Sequence, residues 1–323
     1  MTDSSLLEDS TVQSPERIRK VRPVALTGVV DAGTDLSGIA VVDDFLVLGA
    51  DAGHQLQILR RDADRRTWSL QQKVAVAEQD QNADIAAITF GRGELYIVCS
   101  HSKKRRPMQP DLSVRKNRQR LYDVDADPSR NRLYRLAFDP KTGKTGKLAH
   151  IDLSKRLRKD PLLKPFFGIP GKENGVDIKG MTFANRRLLI GFRGPVLRGN
   201  HVPVMDIDYE NPKGYQLAFV RLEGQGIRDI VTLKHGFLIL SGPMNDVPGS
   251  YRLWWWDGAD QIPGKGRNVE AAVMLGVVST PGGARAEGMA LLKQTDAYAD
   301  LVLVYETNTA AQLVSMRVVL PGD

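Results

Sequence analysis

The feature that most constrains this 323-residue chain is a strand–turn–strand unit that recurs five times. Its clearest copy runs Gly226-Ile-Arg-Asp-Ile-Val231, turns at Lys234-His-Gly236, and continues as Phe237-Leu-Ile-Leu-Ser-Gly-Pro243. Leu36-Ser-Gly-Ile39 stands in the same way before Phe45-Leu-Val-Leu-Gly49, and Ile85-Ala-Ala-Ile88 before Leu95-Tyr-Ile-Val98. Ile178-Lys-Gly-Met181 precedes Leu188-Leu-Ile-Gly191, and Ala286-Glu-Gly-Met289 precedes Leu301-Val-Leu-Val304. The apolar residues closing the copies, Ile39, Ile88, Met181, Ile230 and Met289, are 49, 93, 49 and 59 positions apart. A period of roughly 40–50 residues is that of a propeller blade, a unit of four antiparallel strands. One such unit cannot bury both faces of its sheet, so the copies must pack on one another around an axis, and closing the ring removes exposed edges. The expected fold is therefore all-β: a β-propeller with five visible blades, or six if the 93-residue interval holds two.

Third strands are legible at His54–Arg60, Arg132–Phe138, Tyr251–Trp256 and Gln312–Val318, with turn chemistry such as Asp139-Pro-Lys-Thr-Gly143 after them. The last copy runs out of chain before a fourth strand, while Val24–Val30 is an orphan strand ahead of the first, so the N-terminal strand is expected to close the ring. Residues 1–21 read as a disordered tail, and 22–323 as one propeller domain with insertions at about 103–130 and 152–175. In the second insertion Ser154 or Asp152 can cap a short helix that ends before Pro161, and Leu162–Gly168 reads either as a lid or as a packing segment. Along Tyr251–Trp256, alternation sends Trp254 and Trp256 to one face and Trp255 to the other, which fits packing between blades.

No apolar run approaches the ~20 residues of a membrane span. A polar, acidic start (Met1–Asp9) without a secretory pattern, and a lone Cys99, point to the cytoplasm. The net charge of +7 permits a polyanionic partner. Ten cations crowd residues 103–132, including Lys103, Lys104, Arg105, Arg106, Arg115, Lys116, Arg118 and Arg120. They read as a solvated loop that pairs with Asp111, Asp123, Asp125 and Asp127, or as a site for a polyanion or a protein. Nucleic acid is not favoured, since Tyr122 is the one aromatic residue among them. Asp123–Asp127 imitates a calcium loop, but Pro128 and Tyr134 occupy its glycine and glutamate positions, so an EF-hand is rejected.

In a propeller the innermost strands line the channel. Two positions before each closing apolar residue stand Ser37, Ala86, Lys179, Arg228 and Glu287; one position later stand Gly38, Ala87, Gly180, Asp229 and Gly288. Asp35, Asp84 and Asp177 precede three of the copies, and His101, Arg193, Asn245 and Glu306 follow the second strands. Charges gathered in a channel need partners. Lys179 and Arg228 either neutralise Glu287 and Asp229 as a plug, or bind a carboxylate or phosphate together with Arg193, Asp177, Asn245 and Glu306.

Ile97-Val-Cys-Ser-His-Ser102, Asp177-Ile-Lys-Gly180 before Leu189–Pro195, and Gly226-Ile-Arg-Asp229 before Leu238–Pro243 resemble an uncharacterised bacterial, propeller-like family known as a domain of unknown function. The resemblance spans roughly residues 30–320 and implies a propeller in a cytosolic setting, with no established activity. Members tend to carry Asp-Ile-Glu-Gly in their repeats; here Ala86 and Lys179 take two of the matching places and Glu287 remains. The pattern is also similar to phytase-like and esterase-like propellers. Three functions follow as expectations. One is a non-catalytic binding propeller for a protein or small anion. Another is a phosphoester or lactone hydrolase using Glu287, Asp229, Asp84 and His101 with a divalent cation such as calcium. The third is polyanion binding through residues 103–132.

Overall fold

The computed structural model describes residues 17–28, 36–78, 81–245, 247–307 and 312–322. Most of the expected tail (residues 1–16), Val29, Val30 and Asp35 lie outside them. Among the described residues, five sheets of four antiparallel strands follow one another along the chain, one of them with a fifth strand added at its edge. Their innermost strands are Leu36–Val42, Ile85–Gly91, Asp177–Ala184, Gly226–Thr232 and Arg285–Gln294. Each touches the next, and the fifth touches the first, so the ring closes with five blades. The 93-residue interval holds one blade and its insertions.

Ring closure by an N-terminal strand holds, but the strand is not the one expected. Ile18–Pro23 pairs antiparallel with the last strand, Gln312–Val319, and supplies the missing fourth strand of blade five. Ala25–Thr27 instead adds in parallel to the outer strand of blade one, Thr67–Ala75. Ile18–Val21 falls within the stretch expected as tail and is here part of a strand, with Ile18 packed against the wedge of blades four and five.

The core is five separate wedges, one between each pair of neighbouring blades. Period-two alternation produces this directly: each strand sends successive side chains to opposite sheet faces, and both faces meet a neighbour. The strand Tyr251–Trp256 shows it. Tyr251 and Leu253 fill the wedge toward blade five with Trp255 against it, while Trp254 and Trp256 fill the wedge toward blade three. Full burial of such side chains contributes roughly 1.5–3 kcal/mol each. The stretch Leu162–Gly168 also resolves as packing: Leu163 is fully buried, and Phe166 and Phe167 lie against the wedge of blades two and three. The short helix Ser154–Leu157 has Leu153 at its cap position, while Asp152 Oδ1 accepts from the Ser154 amide at 2.6 Å. Among the described residues no helix is long and apolar enough to cross a membrane.

Candidate functional site

Every innermost strand contains a β-bulge near its start, and the extra residue is the same in each repeat. The register slips between Leu36 and Gly38, Ile85 and Ala87, Ile178 and Gly180, Ile227 and Asp229, and Ala286 and Gly288. The bulged residues are thus Ser37, Ala86, Lys179, Arg228 and Glu287, all buried. A bulge re-aims its side chain, and here four polar side chains are re-aimed to the channel mouth. The residue that follows sits against the next blade. A Cβ on Gly288 would lie 2.3 Å from the Ser37 carbonyl oxygen, and one on Gly180 would lie 2.9 Å from the Asp229 Cα.

The bulges build a plug of ion pairs. Lys179 Nζ reaches Asp51 at 2.8 and 2.9 Å, and Ser37 Oγ donates to the same carboxylate at 2.7 Å. Arg228 Nη1 donates to both Glu287 oxygens at 2.7 and 2.9 Å, while its Nη2 donates to the Pro243 carbonyl at 2.6 Å. Arg193 binds Asp177, and Arg285 binds Glu306. Asp84 takes Lys104 at 3.0 Å and has Arg130 at 3.7 Å. Burial opposes the charge of Asp51, yet Lys179 and Lys104 with the bonds from Lys179 and Ser37 overcome it and hold the carboxyl at about 2. Burial likewise opposes the charges of Glu287 and Lys179. Arg228 and Lys179 nevertheless keep Glu287 below the usual glutamate range, and Asp51 and Glu287 raise Lys179. Glu306 is pushed up, chiefly by burial.

Above the plug opens a cavity of about 920 Å³. One wall is made by the two insertions docked on each other: Arg105 binds Glu173, and the Gly171 amide donates to the Lys103 carbonyl at 2.9 Å. Lys103, Lys104, Arg106 and Lys172 rim it, and Asn245, Glu306 and Arg285 face them. Nε of Arg193, Nε of Arg228 and Oδ1 of Asp177 are buried without a hydrogen-bond partner.

Most of the residues expected at the mouth converge there: Asp84, Asp177, Lys179, Arg193, Arg228, Asn245, Glu287 and Glu306 all line the cavity. Asp229 and His101 do not. Asp229 occupies the crowded position of blade four and serves as a clamp, its Oδ1 accepting from the Ile230 amide and its Oδ2 from the Met289 amide of blade five, both at 2.8 Å. Burial pushes its carboxyl well above the usual range. Arg228 therefore pairs with Glu287 as expected, but Lys179 pairs with Asp51 and not with Asp229. His101 turns inward, with Nδ1 on the Cys99 carbonyl at 2.8 Å, and burial depresses it to about 4. Asp51 is the residue that sequence reasoning missed. It follows the second strand of blade one, where the same counting had picked His101, Arg193, Asn245 and Glu306.

The cations of the basic insertion divide. Lys104, Arg105 and Arg130 are committed to carboxylates, Arg106 lies 3.8 Å from Asp123, and Arg120 Nε donates to the Pro107 carbonyl at 2.6 Å. Arg115, Lys116 and Arg118 project from the helix Val114–Arg120 into solvent. Among the described residues no three His, Cys, Asp or Glu converge as ligands for a metal such as calcium. The carboxylates of the plug are instead bonded to cations.

Residues 35–321 match the family model described as "Protein of unknown function (DUF3616)", in agreement with the resemblance to an uncharacterised domain family. No curated protein matches the chain. Among solved structures, a glutaminyl cyclase from Myxococcus xanthus is 12% identical with a TM-score of 0.46, over 94% of this chain and 97% of that one. A Trypanosoma rangeli sialidase is 12% identical with a TM-score of 0.37, over 93% of this chain and 58% of that one. An exo-β-1,3-galactanase from Phanerochaete chrysosporium is 8% identical with a TM-score of 0.49, over 92% of this chain and 63% of that one.

Proposed function

Because the chain belongs to the DUF3616 family of proteins of unknown function, we propose its role from the mouth itself: a ligand-binding propeller that takes a small carboxylate or phosphate ester into the cavity above the plug. The observation that carries this reading is the convergence of Lys179, Arg193 and Arg228, from blades three and four, on one 920 Å³ cavity. Charge-assisted hydrogen bonds from such side chains to a carboxylate or phosphate oxygen are the strong ones. The rim supports the same sign of ligand: Lys103, Lys104, Arg106, Lys172 and Arg285 gather around the opening. A cavity of this size with a few convergent polar groups is the usual form of a small-molecule site.

The test is calorimetric titration of the full chain with phosphate monoesters, dicarboxylates and sugar acids. Saturable binding is expected from at least one class. Lys104→Ala and Arg285→Ala, both on partly exposed rim residues, should each weaken it about tenfold, the loss of one charge-assisted hydrogen bond. Absence of saturable binding across the panel, or rim variants that bind as tightly as the parent, would overturn the reading.

Hydrolysis at the same mouth has one observation in its favour. Ser100 Oγ donates to Asp84 Oδ2 at 2.5 Å and bonds Ser102 Oγ at 2.9 Å, so two hydroxyls lining the cavity are tied to a carboxylate. Turnover of nitrophenyl phosphates or of a lactone, with and without calcium, and its loss in Ser102→Ala, would favour this second reading over binding alone.

A further inference from the structure

A second concave site lies on the face opposite the mouth. The innermost strand of blade five starts in the mouth with Arg285 and Glu287 and ends eight residues later at Lys293, which lines a separate groove of about 590 Å³. Four segments meet there: Lys20 and Arg22 from the ring-closing strand, Arg61 and Arg65 from blade one, Lys293, and Arg317 from the last strand. Asp300 is the one carboxylate among the described lining residues, and Arg317 already holds it through Nε at 2.7 Å and Nη2 at 2.8 Å. Among the described residues Lys20, Arg22 and Lys293 have no ion pair, while Arg65 reaches only the exposed Asp44, at 3.3 Å.

Arg61 gives the groove a fixed floor. Its guanidinium stacks on the buried Trp68 ring at 4.5 Å from the centroid, and its Nε is buried without a hydrogen-bond partner. Burial and then the neighbouring Arg65 work against its charge. Besides Arg317, five cations converge on the groove with only the exposed Asp44 held against them, by Arg65; they repel each other, and a half-buried guanidinium cannot escape into water as an exposed lysine can.

We propose that this groove binds an oligophosphate chain, as inorganic tripolyphosphate or as the phosphates of a nucleotide. The charge density argues for linked phosphates: a single carboxylate or orthophosphate would leave most of the five cations unmatched, whereas a triphosphate nearly balances them. Arginine forks and lysine ammonium groups are both suited to phosphate oxygens. Because the donors belong to the first strand, the last strand and both blades at the joint, the bound chain would bridge the closure of the ring. Ligand that binds only the closed ring raises its stability by mass action.

The experiment is thermal denaturation and calorimetry of the full chain with tripolyphosphate, ATP, orthophosphate and sulfate at equal ionic strength. Tripolyphosphate and ATP should bind, with a melting temperature raised by about 4 °C at a hundredfold excess over Kd. Orthophosphate and sulfate should fall well short of that. Arg22→Glu with Lys293→Glu, both exposed, should weaken tripolyphosphate at least thirtyfold and raise the melting temperature of the ligand-free protein, since repulsion is relieved. The mouth variant Lys104→Ala should bind it unchanged. Equal affinities for ATP and tripolyphosphate place recognition on the phosphate chain in general; a tighter inorganic chain assigns the inorganic source. A sulfate shift equal to that of tripolyphosphate, binding of ATP without tripolyphosphate, or full affinity in the double-glutamate variant would each overturn the proposal.

Discussion

Glu287→Gln isolates what the plug contributes. The Arg228–Glu287 pair is almost sealed, its side chains 2% and 4% exposed, so water cannot replace the carboxylate. Substitution leaves the guanidinium with one amide oxygen, the Pro243 carbonyl and the face of Tyr251 at 5.5 Å. Breaking a buried pair from one side costs about 3–5 kcal/mol, and the retained amide bond places this variant near the lower end, about 3 kcal/mol. For a domain of this size that is a melting temperature lowered by roughly 4 °C. Urea titration of the variant at pH 7 measures it. The pH dependence has a definite sign. Glu287 is held below its ordinary value of 4.5, so its contribution is complete above the unfolded value and is lost as pH falls through the folded one. The gap between parent and variant should therefore be constant near neutrality and close in acid. Arg228→Met combined with Glu287→Leu removes both charges and should recover most of the loss. A Glu287→Gln cost below about 1 kcal/mol, or a double variant no better than the single one, would refute the idea of an uncompensated buried charge.

Three further outcomes follow. Gly288→Ala should destabilise by about 1–3 kcal/mol in urea, since its Cβ meets the Ser37 carbonyl at 2.3 Å, while Gly168→Ala, with open space around it, should be near neutral. His101 is depressed from 6.5 to about 4, so the unfolded chain takes up a proton first and stability falls as pH drops from 6.5 toward 4, by up to about 3 kcal/mol. His101→Asn, which suits the φ of 54° there, should flatten that part of the urea-midpoint profile. Trp256→Ala, at a fully buried position between blades three and four, should cost about 3–5 kcal/mol by thermal or urea unfolding.

The ring and its mouth were legible because one short pattern carries both. An apolar residue that closes each innermost strand marks the blade, and counting back two positions lands on the bulged residue that faces the channel. Alternation alone assigned Trp254, Trp255 and Trp256 to their two wedges. Pairing partners were not legible, since they depend on which blades face each other. Lys179 reaches a carboxylate 128 positions away, a choice that no local pattern encodes. Asp229 reads as a channel charge only while its carboxylate is assumed to follow the bulge; its position is the one after it, where the neighbouring backbone arrives. The basic groove escaped notice because its cations come by ones and twos from four segments far apart in the chain, unlike the ten cations of the mouth insertion.

The joint between first and last strands also sets the order in which this protein can be completed as it is made. Arg22 and Ser315, bonded across that joint, stand 293 positions apart, which at roughly 5–20 residues per second means a wait of about 15–60 s. Blades one to four consist of neighbours in the chain and can assemble during that interval. The strand Ile18–Pro23 cannot, and it spends the time as a free edge beside other nascent chains. Its sequence, Ile-Arg-Lys-Val-Arg-Pro, suits that exposure: cations and a proline discourage pairing with a foreign strand until Gln312–Val319 emerges to receive it.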